Sequence, residues 1–422
     1  LWEPAPGIAE PDDLPVPQIA VVDLGQRVGE LASRFMGEPA HELFTVAVTG
    51  TDGKTSTAYL VAQALEQAGI PCGYLGTIGT GRVGALKESS HTTPDPIRLH
   101  ALIAELKAEG ARAVAMEVSS HALDQARVSG LCFDVSILTN ITRDHLDYHG
   151  TVEAYAAAKK KLFTRYTGGA AVLNRDDATG AAWAAERGDA VVYGIDGAVP
   201  QGRYLIAREV RLGAEGIAFM LDSSWGRAAV RSRLLGRFNV YNLLAALAAL
   251  LLKGLPLAEV ASIAAVLDTV PGRIEGFRGR QSGPLVVVDY AHTPEALTQI
   301  LTAVRAHCAG RLWCVFGCGG DRDRGKRPLM GVAAAMHADV VIVTDDNPRS
   351  EAPEAIAAEI THAMPAGTRV IHDRAEAIRN ALAEAASNDV VVVAGKGHET
   401  TQTYGSTVRP FSDRARVREL LA

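Results

Sequence analysis

The sequence predicts an α/β protein, and three observations carry that expectation. Short runs rich in Val, Ile, Leu and Ala recur at strand length. Stretches with apolar residues at helical spacing separate them. Near residue 50 an apolar run gives way to a glycine-rich turn and then to a helical pattern. Parallel strands need crossover connections, and a sheet covered on both faces has strands apolar throughout. The pattern therefore points to mostly parallel sheets with helices on both faces.

The elements follow in chain order. Residues 1–19 are rich in proline and acidic residues, without periodicity, and read as a loop or connector. Residues 19–22 are a candidate short strand and residues 28–35 a candidate helix. A strand at 43–48 leads into the glycine turn, and a helix from 54 to 69 follows, closed by glycine. Residues 113–118 and 135–138 are further strand candidates; 154–166 reads as a helix rich in Ala and Lys. Residues 191–193 and the alternation over 206–221 suggest extra strands, some antiparallel, before a strong helical pattern at 239–253. A second unit begins after Pro271-Gly272-Arg273, with strand candidates at 285–289, 311–316, 340–344, 369–371 and 390–394.

The chain has 422 residues, which suggests two or three domains, because one core rarely grows past roughly 250–300 residues. Apolar residues make up 48% and charged residues 21%, ordinary for a soluble globular protein. The net charge of -6 favours neither a nucleic acid nor a membrane as partner. Five widely spread cysteines do not form a disulfide framework. Cys314 and Cys318 flank Val315-Phe316-Gly317, which reads as the end of a buried strand, not a metal clip. The best apolar run, 243–252, is too short to cross a bilayer, and no signal peptide is visible. The chain opens on Leu1 within what reads as the middle of a domain, so upstream sequence is expected to be missing.

Thr49-Gly50-Thr51-Asp52-Gly53-Lys54-Thr55-Ser56 follows a strand and opens a helix. Backbone N–H groups and the helix dipole can hold phosphate there, and glycine lets the backbone curve around the anion. Lys54 supplies a point charge and the Thr55 hydroxyl a Mg²⁺ ligand. The spacing is shorter than the usual Walker pattern, since Val48 stands where its first glycine would be sought. The bland alternative is a glycine turn before an unrelated helix.

Two strand ends carry more chemistry. Glu117, in Met116-Glu117-Val118-Ser119-Ser120-His121, is a hard oxygen ligand placed for Mg²⁺. Taken alone it also reads as a helix cap or a solvated carboxylate. The run from Thr139 to His149 is dense in polar groups after an apolar strand. His145 there can bind a second Mg²⁺, organise its carboxylate ligands, or simply hydrogen-bond. Lys159, Lys160 and Lys161 look like a solvated helix face, and composition does not separate them.

These segments closely resemble the Mur ligases. The matches are TGTDGKTS from Thr49, HTTPD from His91, MEVSSHAL from Met116 and TNITRDHLDYHG from Thr139. GRFNVYN from Gly236, PGRIE from Pro271, DYAHTPEAL from Asp289, GCGGDRDRGKRP from Gly317, DNPR from Asp346 and AGKGHE from Ala394 complete them in the family's order. The resemblance covers about residues 20–422. It implies the remnant of an N-terminal UDP-binding domain with a linker at 1–42. It also implies a central P-loop-type ATPase and muramoyl-peptide-binding domain at 43–273, and a C-terminal Rossmann-like, amino-acid-binding domain at 274–422. The helix at 28–35 would be the last of the first domain.

The implied activity joins meso-2,6-diaminopimelate to UDP-N-acetylmuramoyl-L-alanyl-D-glutamate through an acyl phosphate. ATP is co-substrate and Mg²⁺ cofactor, in the cytoplasm of a bacterium making peptidoglycan. Lys54 resembles the lysine that holds the transferred phosphate, and Thr55 a Mg²⁺ ligand. Gly50, Thr51, Asp52, Gly53 and Ser56 complete the ATP loop, although the family most often has Asn where Asp52 stands. Asn239, Asn242, Arg273, Asp289 and His292 lie in segments resembling its other nucleotide-binding elements. Glu117 and His145 match second metal-site residues, and Lys159 matches the family's carbamylated lysine, whose carbamate is a metal ligand. Thr92, Thr93, Ser119, Gln125 and Arg127 match the muramoyl-peptide site. Arg322, Asp346, Asn347, Arg349, Gly395 and Glu399 match the diaminopimelate pocket, where Arg349 is expected to be buried and paired with the distal carboxylate. A folylpolyglutamate-synthetase-like ligase shares the phosphate loop, but HTTPD and DNPR speak against it. A nonenzymatic nucleotide-binding regulator would not need the lysine, metal ligands and amino-acid pocket together.

Overall fold

The strand before the glycine turn lies inside its sheet. The computed structural model describes residues 1–4, 16–89, 91–279 and 283–422. Eleven strands form the larger sheet: β1 (Phe44–Thr49), β2 (Cys72–Gly76), β3 (Gly79–Arg82), β4 (Ala85–Lys87), β5 (Ala113–Glu117), β6 (Phe133–Leu138), β7 (Thr167–Asn174), β8 (Val191–Ile195), β9 (Arg203–Gly213), β10 (Gly216–Ser223) and β11 (Gly226–Ser232). Their order is β11-β10-β9-β8-β7-β6-β1-β5-β2-β3-β4. β1 pairs in parallel with β5 and β6, while the β2-β3-β4 edge is antiparallel. The sheet is therefore mixed, with a parallel centre. The ends of β1, β5 and β6 deliver Gly50, Val118 and Thr139 to one edge of it.

Helices cover this sheet. α1 (Leu24–Phe35), α2 (Lys54–Gln67), α3 (Pro96–Ala108), α4 (Ser120–Asp124), α5 (Leu146–His149), α6 (Val152–Arg165), α7 (Ala178–Glu186), α8 (Phe238–Lys253) and α9 (Leu257–Ala264) follow in chain order. Several starts are fixed by side-chain caps: Asp95 for α3, with proline at the first turn, Ser119 for α4, Thr151 for α6 and Asp177 for α7. Each such cap contributes about 1 kcal/mol. One face of the sheet packs Ala47, Val114, Met116 and Leu138 against Leu99 and Ile103 of α3, Leu162 and Phe163 of α6 and Trp183 of α7. Residues 243–250 of α8 are fully buried, which accounts for the apolar run. Among the described residues no helix is long and apolar enough to cross a membrane.

The smaller sheet has six strands: β12 (Glu275–Phe277), β13 (Leu285–Asp289), β14 (Leu312–Phe316), β15 (Val340–Val343), β16 (Arg369–Val370) and β17 (Val390–Ala394). Their order is β12-β13-β17-β14-β15-β16, parallel except for β12. Alternate residues face opposite cores, since strand side chains have a period of two. Val287, Cys314, Phe316 and Val392 pack with α10 (Pro294–Arg305), α11 (Lys326–His337) and α12 (Pro353–Thr361). Val288, Trp313, Val315 and Val393 pack with α13 (Arg374–Glu384) and α14 (Asp413–Leu421). Both faces are dry, so the strands read as unbroken apolar runs. Cys314 and Cys318 are buried in this core, and burial pushes both thiols up to about 12. A short hairpin, β18 (Thr401–Tyr404) and β19 (Thr407–Pro410), follows.

The chain falls into two compact units. One comprises Leu1–Glu209, Met220–Ala229 and Tyr241–Ala264; the other Val210–Phe219, Val230–Val240 and Ala265–Ala422. The strand expected at 19–22 does not form; Ala20 makes only an isolated bridge with Trp2. Trp2 N donates to Ile19 O at 3.1 Å and Val21 N to Trp2 O at 2.9 Å, and the pairing stops at this bridge, with Ile19 and Val22 exposed. Residues 5–15 of the expected connector lie outside the described residues.

Candidate active site

The turn between β1 and α2 is built to leave donors open. Gly53 precedes α2 in a left-handed conformation and supplies no side-chain cap, unlike the residues before α3, α4 and α6. The first N–H groups of α2 thus keep their capacity for an anion. Gly50 has φ 147, and a Cβ there would lie 1.9 Å from Thr139 Oγ1. The loop after β6 holds the turn from outside. Asn140 accepts from Asp52 N at 2.9 Å, and Thr139 Oγ1 donates to Asp52 O at 2.6 Å. Asp52 is exposed and is held through its backbone. Lys54 donates to Gly50 O at 3.0 Å and Thr51 O at 2.7 Å, folding its ammonium over the turn. Thr55 and Ser56 open the helix, and buried Asn242 of α8 accepts from Thr57 Oγ1 at 3.2 Å.

Glu117, at the end of β5, is fully buried beside Thr55. Its carboxylate accepts from Thr55 Oγ1 at 2.8 Å, Tyr74 OH at 2.6 Å, Thr77 N at 2.7 Å and Thr77 Oγ1 at 3.2 Å. Four donors fix an acceptor-only group, as a buried carboxylate requires. Among the described residues no group of three or more His, Cys, Asp or Glu forms a ready cation cage. Mg²⁺ commonly takes one or two carboxylates and completes its shell with water and substrate phosphates. The adjacent oxygens of Thr55 and Glu117 fit that partial shell.

Lys159 of α6 is buried, its Nζ 2.7 Å from Gly50 O and 4.6 Å from the Tyr155 ring centre. Burial, reinforced by the like charge of Lys54, pushes this amine well below the usual lysine range. Lys160 and Lys161 instead pair with Glu186 and Asp124 at the surface. The helix therefore separates one lysine from its neighbours, which composition did not. His145 is exposed beside Asp144, with Nε2 3.4 Å from Oδ2, and meets the Tyr155 ring at 6.1 Å. Tyr155 OH lies 3.1 Å from Thr51 Oγ1. His121 contacts the rings of His145, Tyr148 and His149. Burial lowers the affinity of His121 and His149 for a proton.

A polar shelf adjoins Glu117. Thr92 Oγ1 lies 3.0 Å from Thr77 Oγ1. Thr93 Oγ1 donates to Glu117 O at 2.9 Å and accepts from Ser119 N at 3.1 Å. Arg127 donates to Thr93 O and doubly to Gln125 Oε1, which fixes both long side chains.

In the second unit the segments after β14, β15 and β17 converge. Gly320 N donates to Asn347 O at 2.9 Å, and a Cβ on Gly320 would lie 1.8 Å from Pro348 O. This close approach sets Arg349 Nη1 2.6 Å from Gly320 O. Arg322 is exposed on the same loop. Asp346 is buried, and burial raises its carboxyl above the usual range; Gly395, with φ 118, passes next to it. Asn347 Nδ2 donates to Glu399 Oε2 at 3.1 Å. Arg349 is only half-buried, contrary to expectation, and its Nη1 donates to the carbonyl of buried Gly320.

The remaining expected nucleotide residues are also in this unit. Asn239 is buried and donates to Leu235 O at 2.7 Å. Asp289 accepts from Ile274 N and Ala291 N, while Arg273 and His292 are exposed. Sequence reasoning missed Tyr74, Thr77 and Tyr155, which orient Glu117 and Thr51, and Lys396, which is buried against Asn347 and Glu399. Lys396 lies inside AGKGHE and Tyr155 shortly after TNITRDHLDYHG, whereas Tyr74 and Thr77 lie outside the matched segments.

Comparison with known proteins identifies the family. Residues 48–250 match the Mur ligase middle domain and residues 272–397 the Mur ligase glutamate ligase domain. The UDP-N-acetylmuramoyl-L-alanyl-D-glutamate–2,6-diaminopimelate ligase of Pseudomonas aeruginosa is 50% identical over 420 residues, 99% of this chain and 85% of its own. The Coxiella burnetii enzyme of that name is 47% identical over 405 residues, 94% and 82% of the two chains. A solved structure of a ligase so named superposes with a TM-score of 0.78 at 39% identity, covering 95% of this chain and 84% of that one. Mycobacterium tuberculosis folylpolyglutamate synthase, at 19% identity and a TM-score of 0.63 over 88% of this chain and 92% of its own, shares the fold. The chain belongs to the Mur ligase family.

Proposed function

We propose that this chain joins meso-2,6-diaminopimelate to UDP-N-acetylmuramoyl-L-alanyl-D-glutamate, with ATP as co-substrate, in bacterial peptidoglycan synthesis. The observation that carries the reading is the meeting of Lys54, Thr55, Glu117 and Lys159 around one uncapped helix start. The chain bearing it aligns over 99% of its length with a diaminopimelate ligase.

A carboxylate resists amines because oxide is a poor leaving group, and ATP replaces that problem with phosphate. The substrate carboxylate attacks the γ-phosphorus, ADP departs, and an acyl phosphate forms. The amine then attacks the acyl carbon, loses a proton, and expels phosphate with one former carboxylate oxygen. In this reading Lys54 and the α2 N–H groups hold phosphoryl oxygens as charge develops. Thr55, Glu117, His145 and Lys159 as its carbamate would hold Mg²⁺, which supplies charge neutralisation at the phosphates. Gly50, Thr51, Asp52, Gly53, Ser56, Asn239, Asn242, Arg273, Asp289 and His292 serve the nucleotide. Thr92, Thr93, Ser119, Gln125 and Arg127 serve the muramoyl dipeptide. Arg322, Asp346, Asn347, Arg349, Gly395 and Glu399 serve diaminopimelate.

The same reading assigns residues 43–273 to a P-loop-type ATPase domain and 274–422 to a Rossmann-like domain. Residues 1–42 belong to the end of an N-terminal domain and its linker. The working compartment is the cytoplasm, where ATP is supplied.

The test is a product-mass assay with UDP-muramoyl-dipeptide, ATP, Mg²⁺ and a panel of amino acids. A tripeptide product bearing diaminopimelate, with ADP release requiring both dipeptide and amine, is expected. ADP release independent of the amine would sink the ligase reading.

A further inference from the structure

Lys396 follows β17 and is fully buried. Its Nζ lies 3.1 Å from Asn347 Oδ1 and 3.0 Å from Glu399 Oε2. Thr403 N donates to the same Asn347 oxygen at 3.0 Å, and Asn347 Nδ2 donates to Glu399 at 3.1 Å. Lysine, asparagine and glutamate thus close a ring of three hydrogen bonds. An asparagine amide can ordinarily sit either way round. Here an ammonium and a backbone N–H both face one end of it, and neither can accept. That end must be the oxygen. The NH₂ group then faces Glu399, and its second N–H has no protein acceptor among the described residues.

The same ammonium balances charge. Asp346 is buried nearby, and a Cβ on Gly395, the neighbour of Lys396, would lie 2.5 Å from its Oδ2. Arg374, the other buried cation on this side, pairs with both oxygens of Asp413 at 2.7 and 2.8 Å and also acts on Asp346, whereas Lys396 is the cation paired with Glu399. Without Lys396, Glu399 would lose the ammonium that pairs with it at 3.0 Å, and the local field would shift towards negative. That field opposes a carboxylate and does not oppose an ammonium.

We propose that Lys396 is the positioning residue of the amino-acid pocket, locking the Asn347 amide with a donor outward and offsetting Glu399, so that an amine bearing a distal carboxylate is preferred. The proposal rests on the reading that Asn347 and Glu399 face diaminopimelate. Lys396 acts through these two residues and touches no reacting atom.

The experiment measures ligation of meso-diaminopimelate and of L-lysine separately, by product mass, in the wild type, Lys396→Met, Lys396→Gln, Asn347→Ala and the Lys396→Met/Asn347→Ala pair. Lys396→Met is expected to raise KM for diaminopimelate about 10- to 100-fold, the scale of a lost hydrogen bond to a charged group. KM for ATP should stay within about twofold. The preference over lysine should shrink. Lys396→Gln, which keeps a donor, should recover much of the loss. The double variant should lose less than the two single losses combined, because part of the effect of Lys396 runs through Asn347. Additive losses, or an unchanged diaminopimelate KM in folded Lys396→Met, would overturn the proposal. If melting curves show Lys396→Met unfolded, Lys396→Gln decides through its lost charge: a reduced preference over lysine supports the proposal, and a preference unchanged from the wild type overturns it. A wild type that prefers lysine would instead overturn the substrate reading, and this proposal with it.

Discussion

The Nζ of Lys159 sits 2.7 Å from the carbonyl oxygen of Gly50, the first glycine of the turn between β1 and α2. A buried amine at that point is held towards its neutral form by desolvation and by the Lys54 charge. The neutral amine is the form that adds CO₂, forming an N–C bond and releasing a proton to give a carbamate. Lys159 is therefore expected to carry CO₂ in the working enzyme. ¹³C-bicarbonate should give a carbamate resonance that Lys159→Ala lacks, and that variant should lose about 100-fold or more in kcat. An unmodified Lys159 in a high-resolution structure of an active, bicarbonate-containing complex would count decisively against this.

Lys54→Ala should nearly abolish ligation, lowering kcat by about 100- to 1,000-fold. Lys54 now rests on the Gly50 and Thr51 carbonyls, so its ammonium is already over the turn that would receive phosphate. Its removal leaves phosphoryl charge without the nearest side-chain cation. Product formation close to the wild type, at saturating ATP and Mg²⁺, would defeat the assignment.

Much of this was legible because buried parallel strands announce themselves. β13, β14 and β17 are apolar on both faces, and each lies where the apolar runs placed it. β2 and β7 were not legible. Cys72–Gly76 and Thr167–Asn174 each carry two glycines, which depress the strand signal. The glycines serve packing: a Cβ on Gly73 would lie 2.5 Å from Leu106 Cδ1, and one on Gly169 would lie 2.0 Å from Asp134 O. At the site, many residues inside motifs stood out, whereas Tyr74, outside them, and Lys396, inside AGKGHE, did not. A tyrosine or lysine becomes informative only when folding buries its polar tip against a named partner.

Glu351 makes the pocket loop sensitive to acid. It accepts from Arg327 Nη1 at 2.9 Å and Nη2 at 2.7 Å, and from Asp321 N at 2.7 Å. Arg327 is fully buried, and its guanidinium beside Glu351 holds that carboxyl down at about 2. The folded value is below the ordinary 4.5, so the pair stabilises the fold fully above 4.5 and loses that contribution as pH falls towards 2. Glu351→Gln should lower the melting temperature at pH 7, and the gap to wild type should close over that acid window. A gap that persists unchanged to the acid end would show that the charge plays no part.

Arg349 supports the last prediction, that the added residue is meso-diaminopimelate and not L-lysine. The two differ at the distal end, where diaminopimelate carries an amine and a carboxylate and lysine only the amine. Arg349 is half-buried, with Nη1 engaged by Gly320 O at 2.6 Å, and its fork can still form a charge-assisted pair with a carboxylate. Pro348 restricts the backbone beside it. Because the guanidinium keeps a carbonyl partner and access to water, bound lysine would not strand a buried cation. The discrimination from Arg349 is then set by the pair gained with diaminopimelate, about 1.5–3 kcal/mol for a hydrogen bond to a charged group. Arg349→Ala should raise the diaminopimelate KM about 10- to 100-fold on that scale and leave ATP binding nearly unchanged. A competition assay with equal meso-diaminopimelate and L-lysine, resolved by product mass, checks the substrate directly. Predominant lysine incorporation would overturn the substrate assignment and leave membership of the Mur ligase family standing.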